Sequence, residues 1–138
     1  MYGALRVYTC FAEVFQDTRT IERSRNRPHL VGFELVHAVS LLDLTGTWPT
    51  KAGASMAMNS GRRDRSRAWS RRIYEDYPKV GGLYYPSSMD SNQPAVALYE
   101  RAQSGLPVQP LFHRALTDLG LSRAVVKAAF LFNYFVQP

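Results

Sequence analysis

The sequence predicts a single domain, residues 1–138, of the α+β class. A chain of 138 residues can bury one sizeable core and is too short for two well-formed domains. The stretch from Gly81 to Arg101 has the pattern of two strands joined by a polar loop. The segment from Asn59 to Tyr77 carries its aromatic and aliphatic residues at helical spacing. Strands and helices are therefore expected in one domain.

The overall composition is that of a soluble globular protein, with 46% hydrophobic and 20% charged residues. The single cysteine, Cys10, excludes an internal disulfide framework and makes a reducing cytoplasm the expected compartment. No leader peptide is apparent, and the apolar tail is interrupted by Lys127 and Asn133, so no membrane segment is expected. The net charge of +6 favours an anionic partner, which leaves nucleic acid, a phosphorylated small molecule and an acidic protein open.

The first predicted elements are a strand from Tyr2 to Tyr8 and a helix after it. Thr9 has the side chain of a helix N-cap. The apolar residues that then share one helical face are Phe11, Val14 and Phe15. In this arrangement Glu13 lies in the first turns, where its simplest role is a favourable charge near the positive end of the helix dipole.

The next segments predict a loop and then two strands. Residues from Asp17 to Pro28 are polar and mixed in charge, as in a helix end followed by a loop. The run from His29 to Leu44 is too long for one typical strand, and Ala38 allows a bend between two. Asp43 is expected to cap the turn that follows, at the start of the turn-rich segment from Thr45 to Ala54.

The arginine-rich segment from Asn59 to Tyr77 predicts an amphipathic helix with Trp69, Ile73 and Tyr77 facing inward. Its arginines are Arg62, Arg63, Arg65, Arg67, Arg71 and Arg72. A solvated basic face is the simplest interpretation of these arginines, and contact with phosphate or nucleic acid is the alternative. Pro78 is expected to end the helix.

The stretch from Gly81 to Arg101 contains two β-favouring runs, the second of them from Ala95 to Tyr99. The loop between them begins with a pair of hydroxyl groups, Ser87 and Ser88. A surface turn is the simplest interpretation, although rigid strands often hold a functional loop in such a place. Further on, a short helix is predicted from Leu111 to Leu119.

The C-terminal tail predicts a helix that is capped by Ser122, and a strand from Phe130 to Phe135 is the alternative.

Several common catalytic motifs are absent from the sequence. It contains no Gly-x-Gly-x-x-Gly after a strand, no phosphate-binding loop and no Gly-x-Ser-x-Gly. The three histidines, His29, His37 and His113, lack metal-ligand spacing, so no metal site is expected. A helical carboxylate, a serine loop, several tyrosines and many arginines remain, and this set suits a phosphorylated ligand that contains a ring.

Three stretches of the chain together resemble the RES domain family of bacterial toxins. They are TCFAEVFQDTR, FELVHAVSLLDLTGTW and IYEDYPKVGGLYYPSSMDSNQPAVALYER. The resemblance extends from Tyr2 to about Arg101. It implies a fold similar to the ADP-ribosyltransferase toxins, with a mixed, mostly antiparallel β core flanked by helices.

The resemblance also implies a function, that of the toxin half of a toxin–antitoxin pair. Such an enzyme consumes NAD by cleaving the nicotinamide–ribose bond, through phosphorolysis or hydrolysis. NAD is then a substrate, inorganic phosphate is a possible co-substrate, and no further cofactor is expected. The implied protein partner is an antitoxin with a DNA-binding domain, and the toxin itself is not expected to contact nucleic acid or a membrane.

The same resemblance assigns roles to individual residues. Glu13 matches the family's catalytic glutamate, Tyr2 matches a tyrosine on the preceding strand, and Ser87 matches a serine at the end of a Gly-x-x-Tyr-x-Ser strand. Ser87 is expected to be catalytic, by orienting nicotinamide or the incoming phosphate, and Tyr2, Arg6 and Tyr85, the last of them inside the serine motif, are expected to bind substrate. A carboxylate against the ribose would stabilise the positive charge of the transition state.

The family carries phosphate-binding arginines upstream of the matched tyrosine, so the chain is expected to be N-terminally truncated relative to the family. The alternatives are a truncated gene product, a fragment, and a variant that recruits other arginines, such as Arg6, Arg19 or Arg62. Two further interpretations stay open at this point. One is a catalytically inactive remnant that binds an antitoxin or a nucleotide, and the other is a basic nucleic-acid-binding module that uses the arginines between positions 62 and 72.

Overall fold

The computed structural model of the chain describes residues 1–54 and 63–138. The strands in these ranges are β1 (Tyr2–Ala4), β2 (Thr20–Glu22), β3 (His29–Gly32), β4 (Leu41–Asp43), β5 (Gly82–Pro86), β6 (Pro94–Leu98), β7 (Phe112–Ala115) and β8 (Phe135–Gln137). The α-helices are α1 (Val7–Val14), α2 (Trp48–Lys51), α3 (Arg63–Asp76) and α4 (Ser122–Phe132). Two short 3-10 helices span Glu100–Gly105 and Leu119–Leu121.

The main sheet has four strands in the order β1-β6-β5-β4. β6 is antiparallel to both β1 and β5, whereas β4 runs parallel to β5. Gly82 opposes Leu98, and a side chain at this glycine would collide with the backbone oxygen of Ala97. The strand pair from Gly81 to Arg101 that the sequence predicts is therefore confirmed, and it forms the centre of the sheet.

Two small strand pairs lie outside the main sheet. β2 pairs in parallel with β8, and β3 pairs with β7 in antiparallel register. The predicted α+β class, with helices beside a mostly antiparallel sheet, is confirmed. The likeness to ADP-ribosyltransferase toxins stays a prediction.

The buried apolar side chains of the described residues form two clusters. The first, which we call the helical core, lies around α1, β2 and α4 and consists of Phe11, Ile21, Leu116, Val125, Ala128 and Tyr134. The second, which we call the sheet core, lies between α3 and the main sheet and consists of Leu44, Ile73, Leu83 and Ala97. The two clusters explain how short strands, each too small to stabilise a sheet alone, are held in place.

The N-terminal helix begins earlier than the sequence predicts. β1 ends at Ala4 and α1 starts at Val7, so Thr9 lies inside the helix and the prediction that it is the N-cap is wrong. The fully buried Thr9 hydroxyl instead donates a hydrogen bond to Asp90 Oδ2 at 2.6 Å. Glu13 is consequently the penultimate residue of α1. It lies near the negative end of the helix dipole, so the expected position near the positive end is wrong.

Two strands were missed by the sequence analysis because they depend on partners that are distant in the chain. The predicted loop from Asp17 to Pro28 contains β2, and the predicted helix from Leu111 to Leu119 is wrong because that segment contains β7. The helical spacing of its apolar residues is misleading, since Leu116 is buried but Leu119 is 85% exposed. Backbone pairing with β3 determines the conformation of this segment instead.

The tail forms the predicted helix, α4, and then the short strand β8, which begins at Phe135. Ser122 does not cap α4, because it is already helical and its hydroxyl accepts a hydrogen bond from Arg23. The two-strand prediction for the run from His29 to Leu44 is confirmed, as β3 and β4. Asp43 caps the following turn as predicted, by accepting hydrogen bonds from the backbone and hydroxyl of Thr45.

The amphipathic helix is confirmed as α3. Its predicted start, Asn59, lies outside the described residues, and so does Arg62. Ile73 is buried and Trp69 is half-buried against the sheet core, as predicted. Tyr77 lies beyond the helix end and is exposed, so its predicted inward position is wrong, although its ring contacts Trp48 edge-to-face. No helix within residues 1–54 or 63–138 is long and apolar enough to cross a membrane.

The hydrogen bond between Thr9 and Asp90 can be tested by a Thr9→Val substitution. We expect the free energy of unfolding to fall by about 1 to 3 kcal/mol, because the variant leaves a partly buried carboxylate without its donor. Thr47→Val is the control, since this exposed threonine makes no side-chain hydrogen bond at the start of α2. Chemical denaturation of both variants measures the difference, and equal stabilities would contradict a role for the Thr9 hydroxyl.

Candidate active site

A cavity of about 940 Å³ lies between the C-terminal end of α1, the helix α3 and the main sheet. Its lining residues are Tyr2, Glu13, Val14, Gln16, Asp17, Leu44, Ser66, Arg67, Trp69, Ser70, Arg71, Ile73, Tyr74, Leu83, Tyr85, Ser88, Met89, Ala97 and Tyr99. This volume is at the upper end of the range typical of small-molecule sites. The whole sheet core forms part of the wall, so the apolar base of the cavity is also the packed centre of that half of the molecule.

The carboxylate of Glu13 lies at the wall of this cavity and is held there by a hydrogen bond. Glu13 is half-buried, and its Oε1 accepts a hydrogen bond from Ser87 Oγ at 2.5 Å. The Ser87 hydroxyl in turn accepts a hydrogen bond from the backbone N–H of Met89 at 3.2 Å. Because Ser87 is fully buried, its rotamer is fixed and it orients the carboxylate.

The loop that carries Ser87, residues 87–93, is closed on itself by backbone hydrogen bonds. Ser87 N–H donates to Gln93 O, and Asn92 N–H donates back to Ser87 O. Ser91 and Asn92 both have positive φ values, which close the turn between β5 and β6. On one face of α1, Thr9 and Glu13 are four residues apart, and each is hydrogen-bonded to this loop. The loop and the helix therefore fix each other.

Two tyrosines line the cavity near the carboxylate. Tyr2 is 78% exposed and lies on the edge strand β1, opposite Ala97. Tyr85 is half-buried on β5, and burial, reinforced by the negative charge of Glu13, raises the pKa of its phenol. Tyr85 therefore stays protonated at neutral pH and presents a neutral ring and an O–H donor.

The predicted site residues fall into two groups in space. Glu13, Tyr2 and Tyr85 line the same cavity, and Ser87 lies directly behind Glu13. The neighbouring hydroxyl that does face the cavity belongs to the exposed Ser88, so the two serines of the loop occupy different positions.

Two of the arginines that were candidates to replace the family's phosphate-binding arginines, Arg6 and Arg19, lie outside the cavity wall. Arg6 is exposed at the N-cap of α1 and is not part of the cavity wall. Arg19 donates a hydrogen bond to the carbonyl of Phe132 and lies over the ring of Tyr134. Arg62 lies outside the described residues.

Two other arginines reach the cavity, namely Arg67 and Arg71 of α3. Both arginines were predicted on the solvent side of the helix, and they are indeed exposed, but they also form part of the wall. The two arginines are four residues apart, so they lie on the same face of α3. Ser66 and Ser70 precede them by one residue and also line the cavity, so a polar stripe runs beside the buried Ile73.

The position of α3 over the sheet is fixed by residues at the end of β6. The hydroxyl of Tyr99 donates to the Ser70 carbonyl at 2.9 Å. The guanidinium of Arg101 stacks on the Tyr74 ring, 3.7 Å from its centroid, and donates to the carbonyls of Tyr74 and Tyr77. A cation that donates to the last carbonyls of a helix stabilises its C-terminus. The arginines of α3 are thus presented from an anchored helix.

The described residues offer little for two other kinds of chemistry. Residues 1–54 and 63–138 contain no group of three or more His, Cys, Asp or Glu side chains that could hold a metal ion. Burial raises the pKa of the Cys10 thiol, which keeps it protonated and unreactive as a nucleophile. The charged groups of the cavity wall are therefore the oriented carboxylate of Glu13, the carboxylate of Asp17 and the guanidinium groups of Arg67 and Arg71, and tyrosine hydroxyls lie beside them.

The environment of Tyr85 gives a pH-dependent prediction. Because its pKa in the folded state is raised above the ordinary value of 10.0, the protonated phenol adds stability at lower pH, and this is lost as the pH rises above that value. We expect Tyr85→Phe to lose less free energy of unfolding between about pH 9 and 11 than the unsubstituted protein. Denaturant titrations at several pH values measure this. Identical slopes would contradict the prediction, whereas a residual slope is expected from Tyr99 and Tyr134, whose pKa values are also raised.

Comparisons with known proteins assign the chain to a family. Neither a curated protein nor a solved structure matches the chain. A family model described as RES domain matches residues 1–118, which include Glu13, Ser87, Tyr2 and the whole main sheet. The chain therefore belongs to the RES domain family.

Proposed function

We propose that this protein cleaves the nicotinamide–ribose bond of NAD. The observation that carries the proposal is the hydrogen bond from the buried Ser87 to Glu13, which orients a carboxylate at the wall of a cavity large enough for a small-molecule ligand. Family membership supports it, because RES domains are associated with NAD-related enzymatic activity. The reaction and the roles of the residues remain our proposal.

The proposed chemistry needs a carboxylate more than a strong base. When the bond between ribose C1′ and the nicotinamide nitrogen breaks, its electron pair stays with that nitrogen and neutralises the pyridinium ring. Positive charge then develops on the ribose, and Glu13 stabilises it. If inorganic phosphate is the acceptor, its oxygen forms the new bond to C1′ and yields ADP-ribose 1″-phosphate. If water is the acceptor, the products are ADP-ribose, nicotinamide and one proton.

The remaining site residues have supporting roles in this proposal. Ser87 is a positioning residue, since it acts through Glu13 and does not line the cavity. Tyr2 and Tyr85 provide the aromatic surface beside the carboxylate, where the nicotinamide ribose would lie. The apolar base of Leu44, Leu83 and Ala97 restricts water around the developing charge and so strengthens its attraction to Glu13.

RES domains occur in toxin–antitoxin systems, and a toxin-like role fits this chain. We propose that the protein acts in the cytoplasm by depleting NAD. We further propose that a cognate antitoxin with a DNA-binding domain neutralises it.

The central test is a Glu13→Gln substitution. We expect NAD consumption to fall by a factor of about 100 to 1,000, because the amide keeps the shape of the side chain but removes the charge that stabilises the transition state. Release of nicotinamide, followed by liquid chromatography with and without added phosphate, measures the reaction and identifies the acceptor. Glu34→Gln is the control, since Glu34 is exposed and does not line the cavity.

Two outcomes of that experiment would contradict the proposal. Equal turnover by Glu13→Gln would remove this carboxylate from the mechanism. Binding of NAD by calorimetry without any turnover in the unsubstituted protein would support a catalytically inactive remnant instead.

Substitutions at the two loop serines separate positioning from contact. Ser87→Ala should lower kcat by a factor of about 10 to 100 with little change in KM, because it removes one hydrogen bond to a charged group and leaves the cavity wall intact. Ser88→Ala alters the wall itself and should act mainly on KM. Steady-state kinetics of both variants provide the comparison, and the reverse pattern would assign the catalytic contact to Ser88.

A further inference from the structure

We infer that the face of α3 that carries Arg67 and Arg71 is a diphosphate-binding subsite of the cavity. The inference rests on the proposed function for the identity of the substrate, but not for the existence of the anion site. Both arginines are part of the cavity wall, and Glu13 belongs to the same wall. The cavity wall therefore contains an oriented carboxylate on α1, the carboxylate of Asp17 shortly after that helix, and two cationic groups on α3.

The spacing of the two arginines suits a diphosphate. Residues four apart on a helix lie on the same face, separated by about 6 Å along the axis. Each guanidinium can bind two oxygens of a phosphate group in a bidentate manner, so two arginines on one face can each hold one phosphate of a linked pair. A single phosphate would occupy only part of this arrangement.

The state of these side chains also favours an anionic ligand. Among the residues that the structure describes, neither Arg67 nor Arg71 takes part in a hydrogen bond or an ion pair, so both guanidinium groups can bind a ligand. Arg72, the next residue along the helix, differs in both respects. It is paired with Asp76 at 2.6 Å and does not line the cavity.

The helix is also held so that the arginines keep their direction. Tyr99 and Arg101 tie α3 to the end of β6 through the backbone carbonyls of Ser70, Tyr74 and Tyr77. Ile73 anchors the opposite side of the same helix in the sheet core. Ligand binding therefore orders two side chains but not the helix, so the entropic cost of binding is lower.

The subsite is tested by calorimetry with ADP-ribose, AMP and adenosine, which carry two, one and no phosphates. Arg67→Gln and Arg71→Gln should each weaken ADP-ribose binding by about ten-fold, and the double variant should weaken it further, because each removes a charge-assisted contact. The effect should be smaller for AMP and absent for adenosine. Arg71→Lys should fall between the unsubstituted protein and Arg71→Gln, because it keeps the charge but loses the planar fork.

Arg72→Gln and Arg65→Gln are the matched controls, since both remove one positive charge from the exposed part of α3 without touching the cavity wall. They should leave ADP-ribose binding unchanged. Equal losses in all four variants would show a diffuse charge effect and overturn the subsite. The subsite would also be overturned if Arg67→Gln and Arg71→Gln weakened binding of a single-stranded oligonucleotide while ADP-ribose binding stayed the same.

The design separates this inference from the proposed function. Absence of NAD cleavage, together with the expected pattern of ADP-ribose binding, would contradict the function and support the subsite. Cleavage of NAD with an unchanged KM in the Arg67 and Arg71 variants would support the function and overturn the subsite.

Discussion

Two hydrogen bonds from one face of α1 join the helical core to the central strands of the main sheet. Thr9 donates to Asp90, and Glu13 accepts from Ser87, so both residues of the helix are held by the same loop. The loop is itself closed by backbone hydrogen bonds and follows directly from β5. The position of the catalytic carboxylate that we propose is thus determined by the contact that keeps the two halves of the domain together.

This arrangement has an energetic cost at Glu13. The carboxylate is half-buried and lies near the C-terminus of α1, where the helix dipole is unfavourable for a negative charge. The Ser87 hydroxyl offsets part of that cost and, being fully buried, also restricts the direction in which the carboxylate points. A residue without charge would suit this end of the helix better, so the carboxylate breaks a local rule, as residues of functional sites often do.

The local sequence predicts elements whose partners are near in the chain and fails where the partner is distant. The strand pair from Gly81 to Arg101 is predicted well, since its hairpin, turn residues and pairing are all local. The segment from Leu111 to Leu119 is misjudged, because its strand exists only through pairing with β3, about 80 residues earlier. At the site, resemblance to the family identifies Glu13 and Ser87, but only the packing of α3 shows that Arg67 and Arg71 face the same cavity.

The opposite charges of the cavity are kept apart by the way each is anchored. Glu13 belongs to a helix fixed by the loop after β5, whereas Arg67 and Arg71 belong to a helix fixed by Tyr99 and Arg101 after β6. No ion pair joins them within the described part of the chain, although flexible side chains of opposite charge would tend to neutralise one another. The two anchors therefore hold Glu13 and the two arginines at one cavity without an ion pair between them in the described part of the chain.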